Sequence, residues 1–143
     1  MSQVENDLKI LVFCCEYCSY EAADKAGKNK LTYPACARIV RVPCTGRIHL
    51  DMIVSALSKY DGVLVLGCHP GDCHFKFGNI KAYARMFLLK KALDAVRIDR
   101  EWVDLEWVSA MEYKKFVDVV TKFVNKIASK KQRVGGGKSE AGK

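Results

Sequence analysis

Short β-branched runs alternate with stretches of helical periodicity four times along this 143-residue chain, and that alternation limits the folds open to it. Ile10-Leu11-Val12-Phe13 reads as a strand buried on both faces. Ile39-Val40-Arg41-Val42 reads as a second, stopped by Pro43. Val63-Leu64-Val65-Leu66 is a third, entered through Asp61-Gly62 and left through Gly67. A fourth spans Trp102 to Val108, with Val103, Leu105 and Trp107 on one side, and suits a sheet edge.

Between the strands lie helical stripes. Cys18 to Ala26 forms a first, weaker helix ending at Gly27. Met52, Ile53, Ala56, Leu57 and Tyr60 mark the next, and Ile80, Tyr83, Ala84, Phe87 and Leu88 another. Tyr113, Phe116, Val117, Val120, Val124 and Ile127 line the last, preceded by a capping box from Ser109 to Glu112. Strand and helix in strict turn predict one α/β domain of three layers, residues 1–128. Its centre is a mainly parallel four-stranded open sheet of the flavodoxin or Rossmann kind, with helices on both faces. Residues 129–143 are expected to form a basic, Gly-rich disordered tail.

Half of the chain is apolar, enough for a real core, and no run of about eighteen apolar residues could span a bilayer. Met1 to Lys9 carry Glu5 and Asp7 and do not resemble a signal peptide, so a cytoplasmic location is expected. The net charge of +8 does not make a nucleic-acid surface. Five basic residues against Glu140 from Ser129 onward supply half of it, and no aromatic platform accompanies a basic stripe. A partner with an acidic face accounts for the charge equally well.

Seven cysteines are many for a chain in a reducing compartment, and an odd number argues against a closed disulfide framework. Their placement says more. Cys14 and Cys15 end the first strand, Cys18 follows, Cys44 comes just after the second, and Cys68 and Cys73 bracket the loop after the third. In an open parallel sheet the carboxyl ends share one edge, where ligands bind. Six thiols therefore converge there, while Cys36 precedes its strand and lies at the opposite edge. Gathered thiolates repel one another, so a cation is implied. Gly and Pro in Pro43-Cys44-Thr45-Gly46 and Gly67-Cys68-His69-Pro70-Gly71-Asp72-Cys73 let backbone N–H groups approach sulfur. Arg41, Arg47 and Lys76 either offset an anionic site or sit on a solvated surface. His69 and His74 are expected outside the ligand set, Asp72 caps its own turn, and His49 only opens a helix.

Three chemistries use such a set: an iron–sulfur centre, a structural zinc, and a dithiol redox pair at Cys15-x-x-Cys18. Zinc lacks its second C-x-x-C, and the dithiol leaves Cys44, Cys68 and Cys73 unused. No Gly-rich phosphate loop, nucleophile elbow or paired acid motif points to bond chemistry.

The segments Phe13-Cys14-Cys15-Glu16-Tyr17-Cys18-Ser19-Tyr20, Arg38-Ile39-Val40-Arg41-Val42-Pro43-Cys44-Thr45-Gly46-Arg47 and Val63-Leu64-Val65-Leu66-Gly67-Cys68-His69-Pro70-Gly71-Asp72-Cys73-His74 closely resemble the delta subunit of methyl-viologen-reducing hydrogenase. The likeness runs from Lys9 to Ala128 and includes Leu105-Glu106-Trp107-Val108-Ser109-Ala110. It implies a 2Fe–2S cluster on four of Cys15, Cys18, Cys44, Cys68 and Cys73, with Cys15 and Cys18 the interchangeable candidates. It also implies an obligate hetero-complex, with no catalytic chemistry in this chain. Electrons would pass from a hydrogenase small subunit, or a formate dehydrogenase, to the flavin-containing subunit of heterodisulfide reductase in methanogenic archaea.

Overall fold

The computed structural model describes residues 8–16, 18–34, 36–67, 69, 78–98 and 100–134, with 79 and 131–134 described by backbone only. Four strands, β1 (Ile10–Cys15), β2 (Ala37–Val42), β3 (Gly62–Gly67) and β4 (Val103–Trp107), form one sheet in the order β2-β1-β3-β4. All three pairings are parallel. The helices are α1 (Ser19–Lys28), α2 (Leu50–Leu57), α3 (Gly78–Ala95) and α4 (Tyr113–Val134). No helix among the described residues is long and apolar enough to cross a membrane.

The three layers follow from handedness. A right-handed crossover that moves one way along the sheet puts its helix on one face, and a move the other way puts it on the opposite face. From β1 to β2 the chain steps one way, and α1 packs with α4 over Ile10, Val12, Leu64 and Leu66. From β2 to β3 and on to β4 it steps back, and α2 and α3 cover Leu11, Phe13, Val63 and Val65. β1 and β3 are buried along their whole length, as their unbroken apolar runs predict. Burying one such side chain contributes roughly 1.5–3 kcal/mol. Slipping β1 by one residue would exchange the two inner sets and force both faces to repack.

Several local expectations change. Trp102 belongs to a 3-10 turn (Arg100–Trp102), and β4 begins at Val103 at the sheet's edge. Helix α4 starts at Tyr113, four residues after its expected cap at Ser109. Ser109 N–H donates to Glu112 Oε1 at 2.9 Å, while Glu112 N–H donates to the Ser109 carbonyl at 3.1 Å, closing a turn ahead of the helix. The same helix runs on to Val134, past the expected boundary at residue 128, and residues 135–143 lie outside the described part. Helix α1 ends in a Schellman motif whose left-handed residue is Lys30 (φ 58°), not Gly27; Leu31 N–H reaches Ala26 O and Lys30 N–H reaches Gly27 O.

The largest correction concerns α3. Ala82, Met86, Leu89 and Leu93 face the sheet, whereas Ile80, Tyr83, Phe87 and Leu88 are 43–59% exposed. Apolar residues run nearly all round this helix, so periodicity cannot choose its inner face.

Candidate functional site

The reversal of strand order falls between β1 and β3, so the chain departs to opposite sides from their carboxyl ends and leaves a crevice there. Cys15 is the last residue of β1, opposite Val42 of β2, and Cys18 stands immediately before α1. Cys44 caps a 3-10 turn, Thr45–Arg47, just past β2. The structure brings Cys15, Cys18 and Cys44 into one buried cluster, exposed by 2%, 7% and 5%.

Cys14 does not join them. Side chains alternate along a strand, so Cys14 and its neighbour Cys15 cannot share a face. Cys14 is fully buried in the core beneath α1 and α4, and burial pushes its thiol up to about 12 despite the nearby Ser19 hydroxyl. It is a neutral core residue. Cys36 lies at the amino end of β2, on the edge away from the cluster. Cys68 and Cys73, along with Tyr17, Asp72, His74 and Lys76, lie outside the described residues.

Neighbouring groups hold the rim in shape. The buried Ser19 hydroxyl accepts from Cys15 N–H at 2.8 Å and donates to the Leu66 carbonyl at 2.6 Å, tying the ends of β1 and β3 to the start of α1. Its one proton is committed to Leu66, so the 3.7 Å approach of Cys15 Sγ is a contact. Gly46 N–H points at Cys44 Sγ at 3.4 Å, the backbone-to-sulfur approach expected from the glycine beside it. Two glycines allow the close packing: a Cβ on Gly46 would stand 2.9 Å from Gly78 Cα, and one on Gly67 would meet Thr45 at 3.1 Å.

From α3, the half-buried Arg85 guanidinium donates to the carbonyls of Gly46 at 2.5 Å and Ile48 at 3.1 Å. Arg85 therefore clamps the turn that carries Cys44. A cleft of about 270 Å³ opens beside it, lined by Pro43, Cys44, Gly46, Arg47, Gly78 and Lys81. Arg41 is exposed, pairs with Glu16 at 3.8 Å and lies over the Tyr20 ring, which is the surface role. His49 is an N-cap without a side-chain capping bond.

His69, the one described residue between 68 and 77, contacts Glu112 Oε1 through Nε2 at 2.5 Å. The Ser109 N–H bond and then the His69 bond hold the Glu112 carboxyl down at about 2. Sequence reasoning missed Ser19, Arg85 and Glu112 as supports of this rim. Ser19 lies only four residues after Cys15 and was legible in principle; the pairing of Arg85 with Gly46, 39 positions apart, leaves no local signal.

The donor chemistry suits a thiophilic metal centre: buried thiols in low dielectric, with an amide N–H aimed at one sulfur. Among the described residues no group of three His, Cys, Asp or Glu side chains is posed to hold a metal ion. A full set of four would have to draw on residues outside the described ones.

Residues 10–129 match the family model described as methyl-viologen-reducing hydrogenase, delta subunit. The chain is 49% identical over 115 residues, 80% of its length and 84% of the relative's, to an F420-non-reducing hydrogenase iron-sulfur subunit of Archaeoglobus profundus. It is 44% identical over 120 residues, 83% of each chain, to the F420-non-reducing hydrogenase vhc iron-sulfur subunit of Methanococcus voltae. A match of 35% over 119 residues falls within a chain of the ferredoxin:CoB-CoM heterodisulfide reductase of Methanosarcina mazei, covering 82% of this protein and 15% of that one.

Proposed function

We propose, from the fact that this chain belongs to the methyl-viologen-reducing hydrogenase delta-subunit family, that it is an iron–sulfur electron-transfer subunit. It relays electrons from a hydrogenase, or a formate dehydrogenase, to the flavin-containing subunit of heterodisulfide reductase. The observation that carries this reading is the buried meeting of Cys15, Cys18 and Cys44 at the edge where β3 leads into Cys68. Two relatives are named iron-sulfur subunits of a hydrogenase, and the Methanosarcina relative joins the same unit to a heterodisulfide reductase chain.

The ligands in this reading are Cys44, Cys68 and Cys73, completed by Cys15 or Cys18. Bound there, a 2Fe–2S cluster supplies a one-electron carrier. The chain does the rest. Thiolates from separate segments would offset the metal's charge, and the burial of Cys15, Cys18 and Cys44 would keep water away. Gly46 N–H places positive dipole at Cys44 Sγ, favouring negative charge on that sulfur. The clamps from Ser19 and Arg85 keep the rim from rearranging when its charge changes.

Anaerobic purification with iron and sulfide counting tests this directly. Two irons and two sulfides per chain, a brown colour and a paramagnetic signal on one-electron reduction are the expected results. A colourless zinc protein would replace the relay with an interaction module. Thiol–disulfide activity that survives metal removal and loss of Cys44 would assign the chemistry to Cys15 and Cys18.

A further inference from the structure

The outward face of α3 is apolar where a solvated helix would be polar. Ile80, Tyr83, Phe87 and Leu88 are 43–59% exposed at i, i+3, i+7 and i+8, a single stripe. From Ile80 to Leu88 the strip runs about 12 Å at 1.5 Å per residue. Contiguous apolar surface of this kind marks an interaction site more often than a bare exterior.

The strip is continuous with the cysteine rim. Tyr83 lies on Trp107 with ring centroids 5.5 Å apart, and Trp107 pairs in register with Gly67, which leads into Cys68. Its first turn borders the cleft beside Cys44. Electron exchange falls steeply with distance, so a surface that starts at the rim is where a redox partner gains most by docking. The border is basic. Arg47 and Lys81 line the cleft, and Lys91 lies 5.2 Å over the Phe87 ring, while the helix's one acid, Asp94, is paired with Arg100 at 3.4 Å.

We propose that this face of α3 docks the electron-accepting partner protein through an apolar patch bordered by carboxylates. The inference rests on the electron-transfer reading above. The Methanosarcina relative supports that partner class, because there a unit of this kind is joined covalently to the chain it serves. Phe87 and Leu88 carry the docking, and Lys81 steers it.

The test uses the full-length chain, purified anaerobically, and the separately purified flavin-containing heterodisulfide reductase subunit of the same organism. Phe87→Asp with Leu88→Asp should leave iron content and visible absorption unchanged and weaken binding about 100-fold or more. Lys81→Glu should weaken it by a smaller factor, and rising salt should weaken the unaltered pair. Unchanged affinity in the double variant overturns the proposal, as does binding indifferent to both salt and Lys81→Glu. A self-associated chain whose dimer, but not whose partner binding, is broken by the double variant assigns the face to a second copy and also overturns it. An iron-free protein would instead sink the electron-transfer reading, while the same affinities would still decide the docking surface.

Discussion

Thr45 lies so close to Gly67 that a Cβ at position 67 would stand 3.1 Å from both Cγ2 and Oγ1 of Thr45. This contact presses the turn after β2 against the end of β3, and so sets Cys44 beside the point where the chain enters Cys68. Thr45 is 1% exposed and cannot swing away into solvent.

Gly67→Ala should therefore displace the Cys44 turn. Overpacking of this kind costs about 1–3 kcal/mol, and here the strain falls on the rim. Denaturant unfolding should register the loss, and iron bound per chain should fall with it. Full iron content at unchanged stability would show that the contact does not position Cys44.

Arg85→Met removes the Nη1 that donates to both Gly46 O and Ile48 O. Leaving two part-buried carbonyls unsatisfied costs about 1–3 kcal/mol each before water re-enters. The expected result is lower iron retention and a shifted paramagnetic signal of the reduced protein. Arg85→Lys, whose ammonium is likewise a single nitrogen with several protons, should recover part of the retention. A signal identical in all three proteins would mean that Arg85 supports the fold but not the Cys44 turn.

The cysteines should divide by position. Cys44→Ser and Cys68→Ser should lose the visible absorption and unfold at lower temperature, because metal-binding energy is then absent from folding. Cys14→Ala and Cys36→Ala should keep it, the former at a cost of about 1 kcal/mol for a small buried void. Separate Cys15→Ser and Cys18→Ser proteins identify the fourth ligand, since only one of them should retain the full set. A brown Cys44→Ser protein would remove the rim assignment.

Glu112 links acid sensitivity to the start of α4. Its carboxyl is held below the ordinary value, at about 2 rather than 4.5, first by Ser109 N–H and then by His69. A depressed folded-state value means the contribution is complete above pH 4.5 and is lost as pH falls towards 2. The side chain is 36% exposed, so screening limits the effect to about 1 kcal/mol. Glu112→Gln should lower stability at pH 7, and the gap between the two proteins should close between pH 4.5 and 2. A constant gap across that window would place the effect elsewhere.

Arg97 and Lys30 have φ of 61° and 58°, each at the left-handed end of a helix. That conformation costs a non-glycine residue roughly 1–2 kcal/mol, against about 0.5–1 kcal/mol for the extra freedom of an unfolded glycine. Arg97→Gly and Lys30→Gly should each raise unfolding free energy by about 0.5–1 kcal/mol, measured by denaturant melts, with no change in iron content. Destabilisation by either would show that the replaced side chain contributes more than its backbone strain.

The β1 and β3 runs declared themselves because a strand buried on both faces must be apolar throughout, and both runs are short and rich in β-branched residues. The final helix was equally legible: Phe116, Val120, Val124 and Ile127 are all fully buried. Helix α3 was not, since its apolar residues surround it and only the packing of Met86 and Leu89 against the sheet selects the inner side. For the site, the rule that parallel strands share a carboxyl edge was enough to group Cys15, Cys18 and Cys44. It overreached at Cys14, whose side chain the pleat turns into the core.

The order of residues alone decided the alternation of elements, the parallel sheet and which edge collects the thiols, because period and connection length are local properties that every topology must obey. Tertiary structure decided the rest: which face of α3 meets solvent, which of two adjacent cysteines reaches the rim, and that Arg85 and Ser19 brace it. Those outcomes depend on contacts between segments tens of residues apart, and such contacts exist only once the layers have closed on one another.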